Sequence, residues 1–222
     1  MGVVDELAAA ILALQRQRPV RVLIEGRSAA GKTTFSRTLA ERLGRSGRQA
    51  QVVHLDDFHP VGYRPLGSAA YTPERYLQRG FDFAAFERLV LEPTREGGDG
   101  AISFALPGGF EDSPAGGTTL GVGALLIVEG VFLLKPGLRH WWDFVIWLDV
   151  SFATMVRRAT ARDVAWVGDA DLVRHRYETF WTAAHALYEA GDPRGAAHAV
   201  IDNEDPATPR LVRPVASGAS AP

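Results

Sequence analysis

The 222-residue chain has no cysteine, which excludes disulfides, thiolate metal sites and cysteine nucleophiles together. Lysine is nearly missing too: of 24 basic residues only Lys32 and Lys135 are lysine. No apolar stretch approaches the roughly 20 residues of a membrane span. The N-terminus carries Asp5 and Glu6 with no basic region before an apolar core. Neither a span nor a secretory leader is therefore expected, and the reading is of a cytoplasmic protein. A large excess of one charge is also lacking. The net charge of −2 gives no basic face for nucleic acid and turns attention to a small-molecule partner. The six histidines never fall into H-E-x-x-H or another metal-ligand spacing, so a zinc site is not expected. Neither lysine follows an asparagine, so the N-K-x-D motif that reads guanine is missing, which argues against a GTPase.

What is present is a complete G-x-x-x-x-G-K-T loop, Gly26 to Thr33, continued by Thr34. It follows the apolar run Val20–Ile24 and precedes a helical pattern with Phe35, Leu39 and Leu43 on one face, the strand–loop–helix context that such a loop requires. Its glycines let the backbone curl so that successive N–H groups face phosphates, Lys32 reaches the outer phosphates, and the Thr33 hydroxyl is placed for Mg²⁺. Gly26, Ser28, Ala29, Ala30, Gly31, Lys32, Thr33 and Thr34 are the expected nucleotide-binding set.

Around the loop, periodicity predicts alternating strands and helices. Leu7, Ile11 and Leu14 mark an amphipathic helix before a strand at 20–25, and a helix from about Lys32 to Arg45 ends at Gly44 and Gly47. Gln51–Leu55 is a strand running into Asp56-Asp57, and the apolar runs Ala124–Val128 and Phe144–Leu148, ending in Glu129 and Asp149, suit buried parallel strands. Residues 60–70 read as loop. A helix is expected to start at Thr72-Pro73-Glu74, another over Phe83–Leu91, and a hairpin or flap within 101–123. Helices follow at about 151–163 and 171–190, the second with Val173, Tyr177, Phe180, Trp181, Ala184 and Tyr188 as its apolar face, then a short strand at Ala199–Ile201. One domain is expected over residues 1–206, with the Ala/Pro/Ser-rich 207–222 as a frayed tail. The sum is an α/β fold, a parallel sheet with helices on both faces.

A phosphoryl-transferring site needs a phosphate cradle, metal ligands, a carboxylate near the acceptor hydroxyl and cations over the transferred group. Acids stand at three strand ends: Asp56-Asp57, Glu129 and Asp149. Asp149 suits a helix-capping role best, because a helix follows at once. Leu55-Asp56-Asp57-Phe58-His59, Val128-Glu129-Gly130-Val131 and Arg157-Arg158-Ala159-Thr160-Ala161-Arg162-Asp163, together with the loop, resemble four motifs of the uridine kinase-like branch of the P-loop kinases. That branch also holds phosphoribulokinases, pantothenate kinases and nicotinamide riboside kinases. The resemblance implies a P-loop NTPase fold with a small lid at about 158–170, ATP as donor and Mg²⁺ as its metal. It implies Asp56 as base toward the acceptor, Glu129 with Thr33 at the metal, and Lys32, Arg158 and Arg162 at the transferred phosphate.

Two further positions have double readings. Gly80-Phe81-Asp82 resembles the segment that holds ribose hydroxyls in the nucleoside-phosphorylating members, yet Asp82 also suits the N-cap of the helix at Phe83. Arg176 falls near a base-reading position and equally suits a solvated helix face. His59 stands where uridine kinases carry tyrosine, and residues 103–112 show no histidine or tyrosine to align with base-reading residues. Trp166, in the presumed lid, reads as core or as a cover for ligand, and Arg157-Arg158 alone would read as a surface face. The expected activity is ATP- and Mg²⁺-dependent transfer to the primary hydroxyl of a small molecule, a nucleoside first. Nicotinamide riboside, pantothenate, a sugar or a specialised metabolite are the alternatives, and a nucleotide-dependent ATPase or switch is the rival from another class.

Overall fold

The computed structural model describes residues 2–60, 72–106 and 116–213. Helix α1 (Val3–Leu12) leads into β1 (Val20–Gly26), the loop, α2 (Lys32–Gly44) and β2 (Ala50–His54). A single tight turn, Leu55–Phe58, carries the paired aspartates. Helix α3 (Pro73–Arg79) starts as its sequence requires, with Pro73 in the first turn and the Thr72 hydroxyl accepting from the Arg75 N–H at 3.3 Å. Helix α4 (Phe83–Phe86) widens into a π-type turn at Glu87–Leu91. The short β3 (Ala101–Ser103) and β4 (Gly117–Thr119) pair antiparallel as the expected hairpin, and most of the expected flap lies outside the described residues.

The remaining strands are β5 (Leu125–Gly130) and β6 (Phe144–Asp149), followed by α5 (Phe152–Val167) and α6 (Ala170–Arg176). Helix α6 runs through a second π-type turn, Tyr177–Trp181, into α7 (Thr182–Glu189), and β7 (Ala199–Asp202) and β8 (Arg210–Arg213) close the chain's described part. The main sheet has the order β2-β5-β1-β6-β7-β8, parallel except for the antiparallel β8. Strand β8 corrects the expected tail. Residues 210–213 pair with β7, and Leu211 packs on the core, so these residues are not part of a frayed tail; 214–222 lie outside the described residues. The helix expected to end near 163 continues to Val167, where Gly168 at φ +79° stops it, and Asp169 then caps α6.

Alternation along the buried strands divides the interior in two. Val22 and Ile24 of β1 join Leu125, Ile127, Ile146 and Leu148 against α1 and α2. Leu23 joins Leu126, Val128, Val145 and Trp147 against the opposite layer, which includes Phe86, Trp181 and Tyr188. Every side chain of β1 and β5 is buried, the signature of a parallel sheet covered on both faces. The carboxyl ends of β1, β2 and β5 come together at one edge of this sandwich, where open α/β sheets hold their ligands. Among the described residues no helix is long and apolar enough to cross a membrane.

Candidate active site

Two glycines shape the loop. A Cβ on Gly26 would sit 2.2 Å from the Leu148 carbonyl oxygen, so only glycine lets β1 turn away beside β6. Gly31 at φ +95° starts α2 from a left-handed conformation, and a Cβ there would reach 2.9 Å from Asn203 Nδ2. Ala29 is also left-handed, at φ +54°. The resulting curve, ending at the N-terminus of a 13-residue helix, fits a phosphate group by shape and by dipole.

The loop opens into a cavity of about 860 Å³. Ser28, Ala29, Gly31, Lys32, Thr33 and Thr34 form its floor; Asp56, Asp57 and His59 come from the end of β2, Glu129 from the end of β5, and Arg158 and Arg162 from α5. Gly26 and Ala30 do not face it. Ala30 is turned inward: its N–H donates to the Arg27 carbonyl at 3.2 Å and its carbonyl accepts from Asn203 Nδ2 at 2.7 Å, so it supports the loop without lining the cavity.

Lys32 is buried, and its Nζ donates to the carbonyls of Gly26 at 3.2 Å and Arg27 at 2.9 Å. Burial lowers its pKa, while the charges of Glu129, Asp56 and Glu25 hold the proton on. The Thr33 hydroxyl donates to Glu129 Oε1 at 2.8 Å, and the same oxygen lies 2.7 Å from His54 Nδ1. Burial raises the Glu129 pKa, but the hydrogen bonds from His54 and Thr33 and the Lys32 charge outweigh it, keeping the carboxyl below its usual range. His54 gains in return: its bond to Glu129 raises its pKa against burial. A hydroxyl and an ionised carboxylate side by side are the hard oxygen donors that suit Mg²⁺.

Asp56 is exposed to the cavity at the start of the tight turn, with Asp57 beside it. Burial pushes the pKa of His59 down; the ring donates from Nδ1 to the Gly80 carbonyl at 2.6 Å and stacks on Phe81 at 4.3 Å. On α5, Arg158 and Arg162 are one turn apart and both reach the cavity, whereas Arg157 lines a separate groove on the other side of the helix. Arg158 donates to the carbonyls of Asn203 at 2.9 Å and Glu204 at 3.0 Å. Arg162 grips Asp163, which also accepts from the Tyr177 hydroxyl at 2.7 Å and from Trp166. The expected lid segment is thus the end of α5 and its turn into α6, tied together through one carboxylate.

Two expected substrate residues are elsewhere. Asp82 Oδ1 accepts from the Ala85 N–H at 2.9 Å as the N-cap of α4, and Asp82 does not line the cavity. Arg176, half-buried at the end of α6, does not line it either. Asp149 accepts from Arg194 Nε at 2.8 Å; the cap of α5 is Ser151 and not this aspartate. Conversely Tyr177 and Trp181, which periodicity placed on a helix's apolar face, form with Tyr76 an aromatic wall of the cavity. The signal for a wall was the spacing of Tyr177 and Trp181 just after the basic lid motif. Trp166 lines the cavity at 60% exposure, which overturns its core reading.

The chain matches no family model and no curated protein sequence. Solved structures share its fold. A possible uridine kinase from Bacillus stearothermophilus is 20% identical with a TM-score of 0.64, the match covering 89% of this chain and 96% of that one. A candidate fructose transport system kinase from Silicibacter sp. TM1040 is 25% identical with a TM-score of 0.68, covering 86% and 95%. A D-glycerate 3-kinase from Cryptococcus neoformans is 12% identical with a TM-score of 0.51, covering 85% and 88%. In fold, then, the chain is similar to solved P-loop kinases, one of them described as a possible uridine kinase.

Proposed function

We propose that the chain is a small-molecule kinase that transfers the γ-phosphoryl group of ATP to a primary hydroxyl, with a nucleoside as the first acceptor to test. The observation that carries this reading is a single cavity lined by the phosphate loop, by Asp56 and by two arginines. In it Lys32 and the loop N–H groups hold the donor phosphates. Thr33 and Glu129 would hold Mg²⁺, whose charge offsets that of the phosphates when bound. Asp56 orients the acceptor hydroxyl and takes its proton as the new O–P bond forms and the bond to the β,γ-bridging oxygen breaks. Arg158 and Arg162 face the transferred group, and the turn bearing Trp166 lies where it limits access of water.

The neighbours, named for uridine, fructose transport and glycerate, support a small hydroxylated acceptor without choosing one. Histidine at 59, where uridine kinases carry tyrosine, and the use of Asp82 Oδ1 as a cap argue for a broad set of acceptors. Nicotinamide riboside, pantothenate and sugars therefore belong in the acceptor panel beside nucleosides. ADP release is measured with and without each acceptor; release indifferent to all of them would favour the ATPase reading. Asp56→Asn is expected to keep ADP binding and lose at least about 100-fold in transfer, the scale of general-base removal. Lys32→Ala is expected to weaken both. Near-normal turnover of Asp56→Asn would move the base to Asp57 or another group.

A further inference from the structure

The peptide between Arg27 and Ser28 is held from both ends. Its carbonyl accepts from Lys32 Nζ at 2.9 Å, and its N–H donates to His185 Nε2 at 3.1 Å. A trans peptide points these two groups in opposite directions, so fixing one fixes the other. His185 lies on α7, 2% exposed, and the Ser28 hydroxyl is also 3.1 Å from Nε2. Two donors converging on Nε2 require it to be the bare nitrogen of a neutral ring, with the proton on Nδ1. Burial, reinforced by Lys32 and Arg27, keeps the ring neutral, pushing its pKa to about 3. The flanking Arg27 side chain is clamped to the same helix, with Nε 2.8 Å from Glu189 Oε1.

We propose that His185 is a positioning residue for the phosphate loop: it locks the Arg27–Ser28 peptide and thereby aims Lys32. Reversing that peptide would turn an N–H toward the Lys32 ammonium and a carbonyl toward the buried imidazole lone pair, two repulsive contacts in place of two attractive ones. With two of its three N–H donors held by the Gly26 and Arg27 carbonyls, Lys32 presents the third to the cavity. Trp181 and Tyr177 precede His185 by one and two helical turns and line the same cavity, so the element that shapes the aromatic wall also sets the loop.

The inference rests on the loop being a nucleotide site, and the experiment separates the two. ADP binding is measured calorimetrically with Mg²⁺ for the wild type, His185→Phe and His185→Gln, alongside thermal melts. Gln offers an oxygen near the position of Nε2; Phe fills the space without an acceptor. His185→Phe is expected to bind ADP about tenfold or more weakly, with His185→Gln within about threefold of wild type despite a similar melting temperature. Equal binding by all three, or Gln as weak as Phe, would overturn the role of His185. A wild type that fails to bind ADP would instead sink the nucleotide-site reading. The ¹⁵N histidine spectrum of the unaltered protein tests the bond without any variant: Nε2 should stay bare and Nδ1 protonated from pH 5 to 9, and a protonated Nε2 would refute the lock.

Discussion

Glu25 stands one residue before the phosphate loop with its carboxyl sealed in the protein, accepting from the Leu133 N–H at 3.1 Å. Burial raises its pKa to about 7, although hydrogen bonds from Tyr188 and the backbone and the nearby Lys32 charge oppose the rise. A carboxyl bound more tightly to its proton in the folded chain contributes stability below its unfolded pKa and loses it as pH climbs through the folded value. Between about pH 4.5 and pH 7 this residue therefore favours folding less and less. Melting temperatures of wild type and Glu25→Gln should differ progressively as pH rises from 5 to 8, with the variant gaining relative to wild type; parallel curves would contradict the assignment. Nothing in the sequence marked Glu25, because its hydrogen-bond partners come from residues 132 to 188 and only the fold assembles them. That the loop, Asp56, Glu129, Arg158 and Arg162 line one cavity was legible because each belongs to a local motif, at a strand end or one turn apart on a helix. Asp82 shows the limit of that method: two residues of likeness could not separate a ligand contact from a cap, and the cap bond to Ala85 exists only in the folded chain.

Helix α5 and its turn into α6 carry the arginines and the exposed indole. Trp166 is 60% exposed, whereas Trp142, Trp147 and Trp181 are all under 9%. Acrylamide quenching of intrinsic fluorescence should accordingly act mostly on Trp166, and Trp166→Phe should abolish most of the quenchable component. Quenching unchanged by that substitution would mean the indole is not at the surface. Helix and strand positions were readable where periodicity ran long, as in α2, β5 and β6. The π-type turns at Glu87–Leu91 and Tyr177–Trp181 were not, since one extra residue per turn leaves the apolar spacing almost unchanged. Strand β8 escaped because proline and alanine dominate the residues around it, while its own four residues, Arg-Leu-Val-Arg, show no polar–apolar alternation at a sheet edge.

At the scale of the whole molecule, one sheet separates two apolar layers that share its five parallel strands between them. Leu39 belongs to one layer and Leu126 to the other, both fully buried. Leu39→Ala and Leu126→Ala should each cost about 2–5 kcal/mol, and both should shift one common unfolding transition, because neither layer exists without the sheet. Two separate transitions in calorimetry would show instead that the layers unfold on their own. The parallel α/β class followed from the alternation of strand-like and helical runs, but which residues face which layer needed the register of β1 against β5 and β6.

That register has a consequence for how such a chain can change over generations. Neighbouring residues of β1 serve opposite layers, and β1 ends directly at Gly26, whose backbone passes the Leu148 carbonyl with no room for a Cβ. Losing or gaining one residue between Val20 and Gly26 would exchange the two sets of side chains and swing the loop to the wrong side of the sheet. Substitutions here can be absorbed one at a time, whereas changes of length cannot. Drift in length is left to the connections away from β1.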